Sequence, residues 1–332
     1  FDNREIKSVN PQPWALHKKY NIISESEALK KLNIDGKTKS FLVIKNDSIL
    51  FEKYFDGYSK NSLSNSFSVA KSIVTSMMGK AIMEGKIKGL DQPVSDYFKQ
   101  YESGLASELT VGDLAAMSSG MDWSEKYYSV INITSESYFT DDLRSVILRQ
   151  KIIDKPGQSF RYSSGDTQLL GMVIEKATGV SLTEYLTEKF WNPMGAENTA
   201  LWQLDSDEFS MEKAYCCIAS TARDFARFGK LYINKGLWVD QEILDSSFVE
   251  LATKPVFESS PYYGYGWWLY NYEGKKVFTM NGHRGQFVIS FPDENIIIVR
   301  QGDFNEKGRV SNGDGDLYKY ISEGYKLAKS TE

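Results

Sequence analysis

Apolar residues fall into two rhythms along this chain, and the rhythm changes twice. Near the start, Lys39-Ser-Phe-Leu-Val-Ile-Lys45 and Ser48-Ile-Leu-Phe-Glu-Lys-Tyr-Phe55 are short β-branched and aromatic runs that predict two strands. Asn46-Asp47 between them suits a two-residue hairpin turn. The spacing then becomes helical: Ile73, Val74, Met77, Met78, Ala81 and Ile82 recur on one face, and Gly85 is a stop. Thr110-Val-Gly-Asp113 reads as the capping box of a short helix ended by Gly120. Thr140 reads as the cap of a helix over 141–150, and 166–177 as a further amphipathic helix. Ser181-Leu-Thr-Glu184 and Thr221-Ala-Arg-Asp224 read as capping boxes of two more. Strand rhythm returns over 263–271, 276–280, 286–291 and 295–301, and 316–328 reads as a closing helix. Residues 1–37 are polar and irregular, with Trp14 and Leu16 as anchors.

Strands at both ends and helices between them predict an α/β fold of the α+β type. One antiparallel sheet is built from both termini and flanked by helices, with a mostly helical lobe inserted. The expected division is 1–66 with 250–332 as the sheet lobe and 67–249 as the helical lobe, the site lying at their interface. A chain of 332 residues exceeds what one small core needs. No internal repeat or low-complexity segment is visible.

Composition narrows the function. The chain is 41% hydrophobic and 25% charged with a net charge of −5, which argues against a nucleic-acid partner. No apolar run reaches the length of a membrane span. The two histidines, His17 and His283, lie far apart, which argues against a histidine-rich metal site. Cys216 and Cys217 are adjacent and cannot staple distant segments. Small buried side chains are the favoured reading of that pair, and a reactive vicinal pair the alternative. The chain begins at Phe1, which raises the expectation of a removed upstream segment such as a secretory signal.

The candidate chemistry starts at Ser68-Val-Ala-Lys71, where an extended segment gives way to a helix. A hydroxyl and an amine three residues apart share one helical face. At a helix start the hydroxyl also lies beside free backbone N–H groups. Burial and the positive helix end would depress the Lys71 pKa, so that a neutral amine can take the serine proton. A second copy, Ser210-Met-Glu-Lys213, is read as a surface coincidence. Tyr162 lies two residues before Ser164 in a loop leading into a helix, and a tyrosine beside a lysine can carry a proton to a leaving group. Asn281-Gly-His283-Arg-Gly285-Gln-Phe opens an apolar strand. Gly285 there permits close backbone approach, and the Gln286 N–H can point at a developing oxyanion.

In order and spacing, Ser68-Val-Ala-Lys71, Tyr162-Ser-Ser164 and His283-Arg-Gly285 resemble the three motifs of the penicillin-recognising serine hydrolases. That group holds class C β-lactamases, D-amino-acid carboxypeptidases, family VIII-type esterases and 6-aminohexanoate-dimer hydrolases, and the likeness covers most of the chain. Leu114-Ala-Ala-Met-Ser-Ser-Gly120, Pro156-Gly-Gln-Ser-Phe-Arg-Tyr162 and Ser220-Thr-Ala-Arg-Asp-Phe-Ala-Arg-Phe-Gly229 are similar too.

The resemblance implies a β-lactamase/transpeptidase-like fold with no metal and no organic cofactor. Ser68 would be the nucleophile, Lys71 its base and Tyr162 a partner in proton transfer. The N–H groups of Ser68 and Gln286 would form the oxyanion hole, and Ser164 and His283 would line the cleft. Departures steer the substrate away from β-lactams. Ser164 stands where the β-lactamases have Asn, and His283-Arg-Gly285 where they have Lys-Thr-Gly, closer to the esterase and amidase branches. Arg284 either faces away or binds a substrate carboxylate. Met121-Asp-Trp-Ser-Glu-Lys-Tyr-Tyr128 resembles the wall loop of the dimer-hydrolase branch, and Trp123, Tyr127 and Tyr128 would stack on substrate or pack on their own lobe.

The expected function is a serine hydrolase of small esters or amides, periplasmic or secreted in a bacterium, with a cytoplasmic location left open. The alternatives are a β-lactamase or D-amino-acid carboxypeptidase of the same fold, a Ser-His-acid enzyme using His283, and an inactive binding protein.

Overall fold

A computed structural model describes residues 1–126, 132–303 and 315–330. The sheet foreseen from the two ends is there. Its seven strands run in the order Trp268–Tyr272, Lys275–Gly282, Gln286–Phe291, Ile296–Gly302, Thr38–Lys45, Ser48–Tyr54 and Ala15–Leu16. All neighbours are antiparallel except the last pair, where Ala15 lies opposite Ser48 in parallel register, so the sheet is mixed at one edge. Asn46 and Asp47 turn the first hairpin with φ of 48° and 61°, the two positive values that a tight hairpin turn requires.

The central strands read as unbroken apolar runs because helices cover both faces. Phe41 and Val43 face one core with Ile296 and Ile298, whereas Leu42 and Ile44 face the other with Ile297 and Val299. The first core is closed by the helices Glu27–Asp35 and Gly315–Lys329 through Leu29, Leu317, Tyr320 and Ile321. The second is closed by Val69–Met83 and Ala222–Ile233. Gly229 lets the latter helix lie on the sheet, since a Cβ there would come 2.8 Å from the Ser290 hydroxyl. Arg223 locks that helix to the sheet by pairing with Glu52 at 2.6 Å.

A second, four-stranded antiparallel sheet was not foreseen: Asn3–Ile6, Ala200–Gln203, Ile218–Ser220 and Ser64–Asn65. Its strands are too short to show a local pattern, and two of its three pairings join residues far apart in the chain (Asn3 with Gln203, Ser64 with Ser220). Residues 1–37 are therefore irregular only in part, since they also hold Glu27–Asp35, capped by Ser26 accepting from the Leu29 N–H. Other boundaries shift where a neighbour caps better. Thr110 makes both arms of its capping box, but that helix ends at Ala116 rather than Gly120. Thr140 closes Ile133–Phe139, and Asp142 caps Leu143–Leu148. The helix expected at 166 begins at Ser164, with Ser163 accepting from the Asp166 N–H. Ser181 and Thr221 make only the serine/threonine arm, and the Asp224 carboxylate instead accepts from the Glu197 and Asn198 N–H groups. The strand expected over 263–271 starts at Trp268.

The helix Val69–Met83 is buried along most of its length, as a central element must be. Gly79 sits where a Cβ would come within 2.3 Å of the Phe248 ring. Gly79→Ala therefore loses about 1–3 kcal/mol to overpacking despite a gain of roughly 0.5–1 kcal/mol in helix propensity. Calorimetry should show a lower melting temperature that Phe248→Leu partly restores. A higher melting temperature in the single variant would contradict this packing.

Candidate active site

The site is built on the turn into the helix Val69–Met83. Ser66 is clamped to the second sheet: its N–H donates to the Ile218 carbonyl at 2.7 Å, and its hydroxyl accepts from the Ile218 N–H at 3.0 Å. Phe67 then adopts φ of 45°, a left-handed value costing a bulky residue about 1–3 kcal/mol. Its N–H donates to Asn65 Oδ1 at 2.8 Å. This kink turns the Ser68 side chain away from the capping position, where it makes no bond to the helix end. The Ser68 hydroxyl instead accepts from Lys71 Nζ at 2.9 Å. Among the described residues no acceptor takes the Ser68 N–H. Ser68 itself is half-buried, open to an incoming molecule.

Lys71 is 2% exposed. Its second acceptor is the Tyr215 carbonyl at 2.9 Å, and its amine lies 5.1 Å from the Tyr162 ring centroid. Burial lowers its pKa to about 8, against a smaller upward pull from Glu125. The Tyr162 phenol lies within hydrogen-bonding reach of Ser68, and burial holds its proton on well above the ordinary phenol value. Three groups thus meet at one point: an alcohol, an amine whose pKa is lowered to about 8 and a protonated phenol. The Tyr162 ring packs on Trp268 at 5.5 Å, and Trp268 stacks on exposed Tyr262 at 6.4 Å. Trp267 faces the core and Trp268 is half-exposed, the alternation expected on a strand.

The opposite rim is the turn 283–285. Gly282 packs on the Ser66 carbonyl, which brings the strand Lys275–Gly282 against the kink. The His283 ring meets Phe67 edge-on at 5.7 Å, and burial followed by the Arg284 charge lowers its pKa. The exposed Arg284 pairs with Asp303 at 3.2 Å. Buried Arg300 fixes the turn by donating to the Arg284 and Gly285 carbonyls at 2.6 and 2.7 Å. Gly285, with φ of 74°, has no room for a Cβ beside that guanidinium. Gln286 follows as the first residue of its strand, its side chain tied to Gly302.

Ser164 lies beneath the carboxylate of Glu125 rather than open on the cleft. Its N–H donates to Glu125 Oε1 and its hydroxyl to Oε2 at 3.1 Å, and Ser164 is 1% exposed. Trp123 is buried, packs on Gly165 and donates its indole N–H to Glu125 Oε1 at 2.8 Å. That is the packing alternative for this residue. Tyr127 and Tyr128 lie outside the described residues.

With this geometry established, comparison with known proteins is decisive for the family. The family model described as Beta-lactamase matches residues 34–312. The chain belongs to the beta-lactamase family. It is 24% identical over 290 residues to the 6-aminohexanoate-dimer hydrolase of Paenarthrobacter ureafaciens, covering 79% of this chain and 72% of that one. A solved Bacillus anthracis structure, provisionally assigned as a 6-aminohexanoate-dimer hydrolase, superposes with a TM-score of 0.83 at 23% identity, covering 99% of this chain and 91% of that one. A D-stereospecific amidohydrolase from Streptomyces sp. superposes at 0.68 and 17% identity, covering 91% and 99%. The fold is that of β-lactamases and transpeptidases, and the chain is a hydrolase of that fold.

Other features of this beta-lactamase-family chain differ from expectation. Lys213 is not at the surface but fully buried, donating to the Tyr138 carbonyl at 2.7 Å, while Ser210 bonds the Asp207 carbonyl. Cys216 and Cys217 are buried as expected, but their sulfurs are joined in a vicinal disulfide. Sequence reasoning missed Glu125 and Tyr215. Tyr215 acts through a backbone carbonyl, which leaves no trace in residue type, and Glu125 lay inside a stretch read for its aromatics. Among the described residues no cluster of three or more His, Cys, Asp or Glu side chains is arranged to hold a metal ion.

A lysine held at about 8 rather than its ordinary 10.5 costs the fold roughly 3 kcal/mol while protonated. The unfolded chain binds that proton more tightly, so the wild type gains stability relative to Lys71→Met as pH rises from 8 towards 10.5. Urea melts of both proteins at pH 6.5 and 9.5 should show the difference moving towards the wild type by about 1–2 kcal/mol. A difference independent of pH would contradict the depressed value.

Proposed function

We propose that this protein is a serine hydrolase that cleaves small esters and linear amides, including amides bearing a free carboxylate, through an acyl-Ser68 intermediate. The observation that carries the reading is the convergence of the Ser68 hydroxyl, the buried Lys71 amine and the Tyr162 phenol at one point.

In this reading the neutral Lys71 amine accepts the Ser68 proton as the oxygen attacks the substrate carbonyl. The negative charge that develops on the carbonyl oxygen is received by the N–H groups of Ser68 and Gln286. The proton then passes through Lys71 and Tyr162 to the leaving alcohol or amine as the old bond breaks. Water, losing a proton along the same path, attacks the acyl group and releases acid and free Ser68. Tyr162 suits this path because its phenol keeps its proton and so donates rather than repels. The family resemblance supports the same assignment.

The base is Lys71 rather than His283, whose ring lies against Phe67. Both bases must be neutral to act, but they lose their protons in different pH ranges. A lysine base gives kcat/KM that rises with pH through about 8. A histidine base with a lowered pKa gives activity already at its plateau there. Hydrolysis of p-nitrophenyl esters should follow the first profile. Ser68→Ala and Lys71→Ala should each lose roughly a thousandfold or more, and Tyr162→Phe about ten- to a hundredfold. A plateau reached below pH 6.5, or full activity in Lys71→Ala, would reject Lys71 as the base. Run on nitrocefin, a D-alanyl dipeptide and a 6-aminohexanoate dimer, the same assay separates the amidase and esterase reading from a β-lactamase or carboxypeptidase.

A further inference from the structure

In the mechanism above the leaving group takes its proton at the Tyr162 hydroxyl, and the surface beside that residue is aromatic. The Tyr162 ring lies 5.5 Å from Trp268, and the Phe160 ring, two residues earlier, lies 6.1 Å from the same indole. Buried Tyr263 backs both, meeting Trp268 edge-on at 5.0 Å and Tyr162 at 6.3 Å. Tyr262 stacks on Trp268 with the ring planes 16° apart and meets Phe160 edge-on at 5.6 Å. Tyr262 is 43% exposed, and Phe160 and Trp268 are partly so, so the aromatic surface begins at the reacting phenol and ends in water. It is also fastened to the helix that carries the nucleophile. The Ser72 hydroxyl, next to Lys71, donates to the Gly266 carbonyl at 2.5 Å, and the Gly266 N–H donates to the Ala115 carbonyl at 3.1 Å. Gly266 has φ of 75°, and a Cβ there would come 2.3 Å from Thr75 Oγ1. The Leu269 N–H donates to the Tyr262 carbonyl at 2.8 Å, which sets Tyr262 beside Trp268. The faces are thus in place before a substrate arrives, and little side-chain ordering is left for binding. A flat aromatic group gains stacking contacts on such faces that a puckered ring of the same size does not.

We infer that Trp268, Tyr262 and Phe160 form a subsite that receives an aromatic leaving group. The inference rests on the hydrolase reading and names the substrate class: esters and amides of aryl or arylmethyl alcohols and amines. Trp268 has two tasks in this arrangement. One part of its surface supports the Tyr162 ring, and the exposed part continues into the subsite with Tyr262.

The test measures kcat/KM of the full chain, from acid release, on two pairs of esters. Benzyl and cyclohexylmethyl acetate differ only in the ring of the leaving alcohol; methyl phenylacetate and methyl cyclohexylacetate carry the same difference on the acyl side. The wild type should favour benzyl over cyclohexylmethyl acetate by about three- to tenfold. Tyr262→Ala, which leaves the Tyr162 contact untouched, should bring that ratio close to one, and Tyr262→Phe should keep it. Trp268→Ala should lower it too, with a general loss of rate because Tyr162 loses its support. The acyl-side ratio should be the same in the wild type and Tyr262→Ala. Tyr318→Ala removes an exposed ring from the helix Gly315–Lys329 on the other face of the sheet, and should change neither ratio. A wild-type benzyl ratio near one overturns the inference, as does a ratio that survives in Tyr262→Ala or collapses in Tyr318→Ala. An acyl-side ratio that falls in Tyr262→Ala while the benzyl ratio stands overturns the assignment to the leaving group. Should Trp268→Ala fail to fold, the wild-type ratio and the Tyr262 variants decide. Absence of hydrolysis, or hydrolysis indifferent to Ser68→Ala, overturns the hydrolase reading along with this one. Ser68-dependent hydrolysis without the benzyl preference overturns only this one.

Discussion

An amine sealed from water beside a hydroxyl is the constraint around which the molecule is organised. Lys71 is buried, and its two acceptors are one side-chain oxygen and one backbone carbonyl. Neither carries a formal charge, so desolvation outweighs the pull of nearby Glu125 and the amine's pKa falls to about 8. An ion-paired lysine in the same place would hold its proton and be of no use as a base. The stability lost by burying it is made good by the packing around it.

That packing is extensive. The helix bearing Ser68 and Lys71 is buried on nearly every side, so its register is set by the core and not by its cap. The strain at Phe67 persists because both flanks are over-determined: Ser66 is bonded twice to Ile218, and the helix behind is fixed by its burial. Arg300 does the same for the facing turn, where four backbone carbonyls, those of Gly36, Arg284, Gly285 and Asp303, accept from one buried guanidinium. The turn that carries Ser68 and the turn facing it are therefore both mounted on rigid supports.

The legible parts of the fold were those with strong local period. The hairpin 38–54, the helix from 69 and the last three strands all show in hydrophobic spacing, because each buries a continuous face. The four-stranded sheet was silent, since strands such as Ser64–Asn65 are too short for any pattern and exist only through distant partners. In the site, the serine and lysine were readable because helical geometry alone brings positions 68 and 71 together. Tyr162 needed the ordered motifs, since nothing local ties it to residue 68. The Tyr215 carbonyl and the left-handed Phe67 are backbone properties with no signature in side-chain type. Glu125 was hidden by its neighbours, because Trp123 and the tyrosines drew the reading towards stacking.

The central claim is that Ser68 is the atom that attacks, and covalent capture tests it most directly. The protein would be treated with a fluorophosphonate, and the adduct located by peptide mass spectrometry in the wild type and in Lys71→Ala. The account predicts one adduct, on Ser68, formed far more slowly once the lysine is gone. A label on any other residue, or labelling of Ser68 at an unchanged rate in Lys71→Ala, would contradict it.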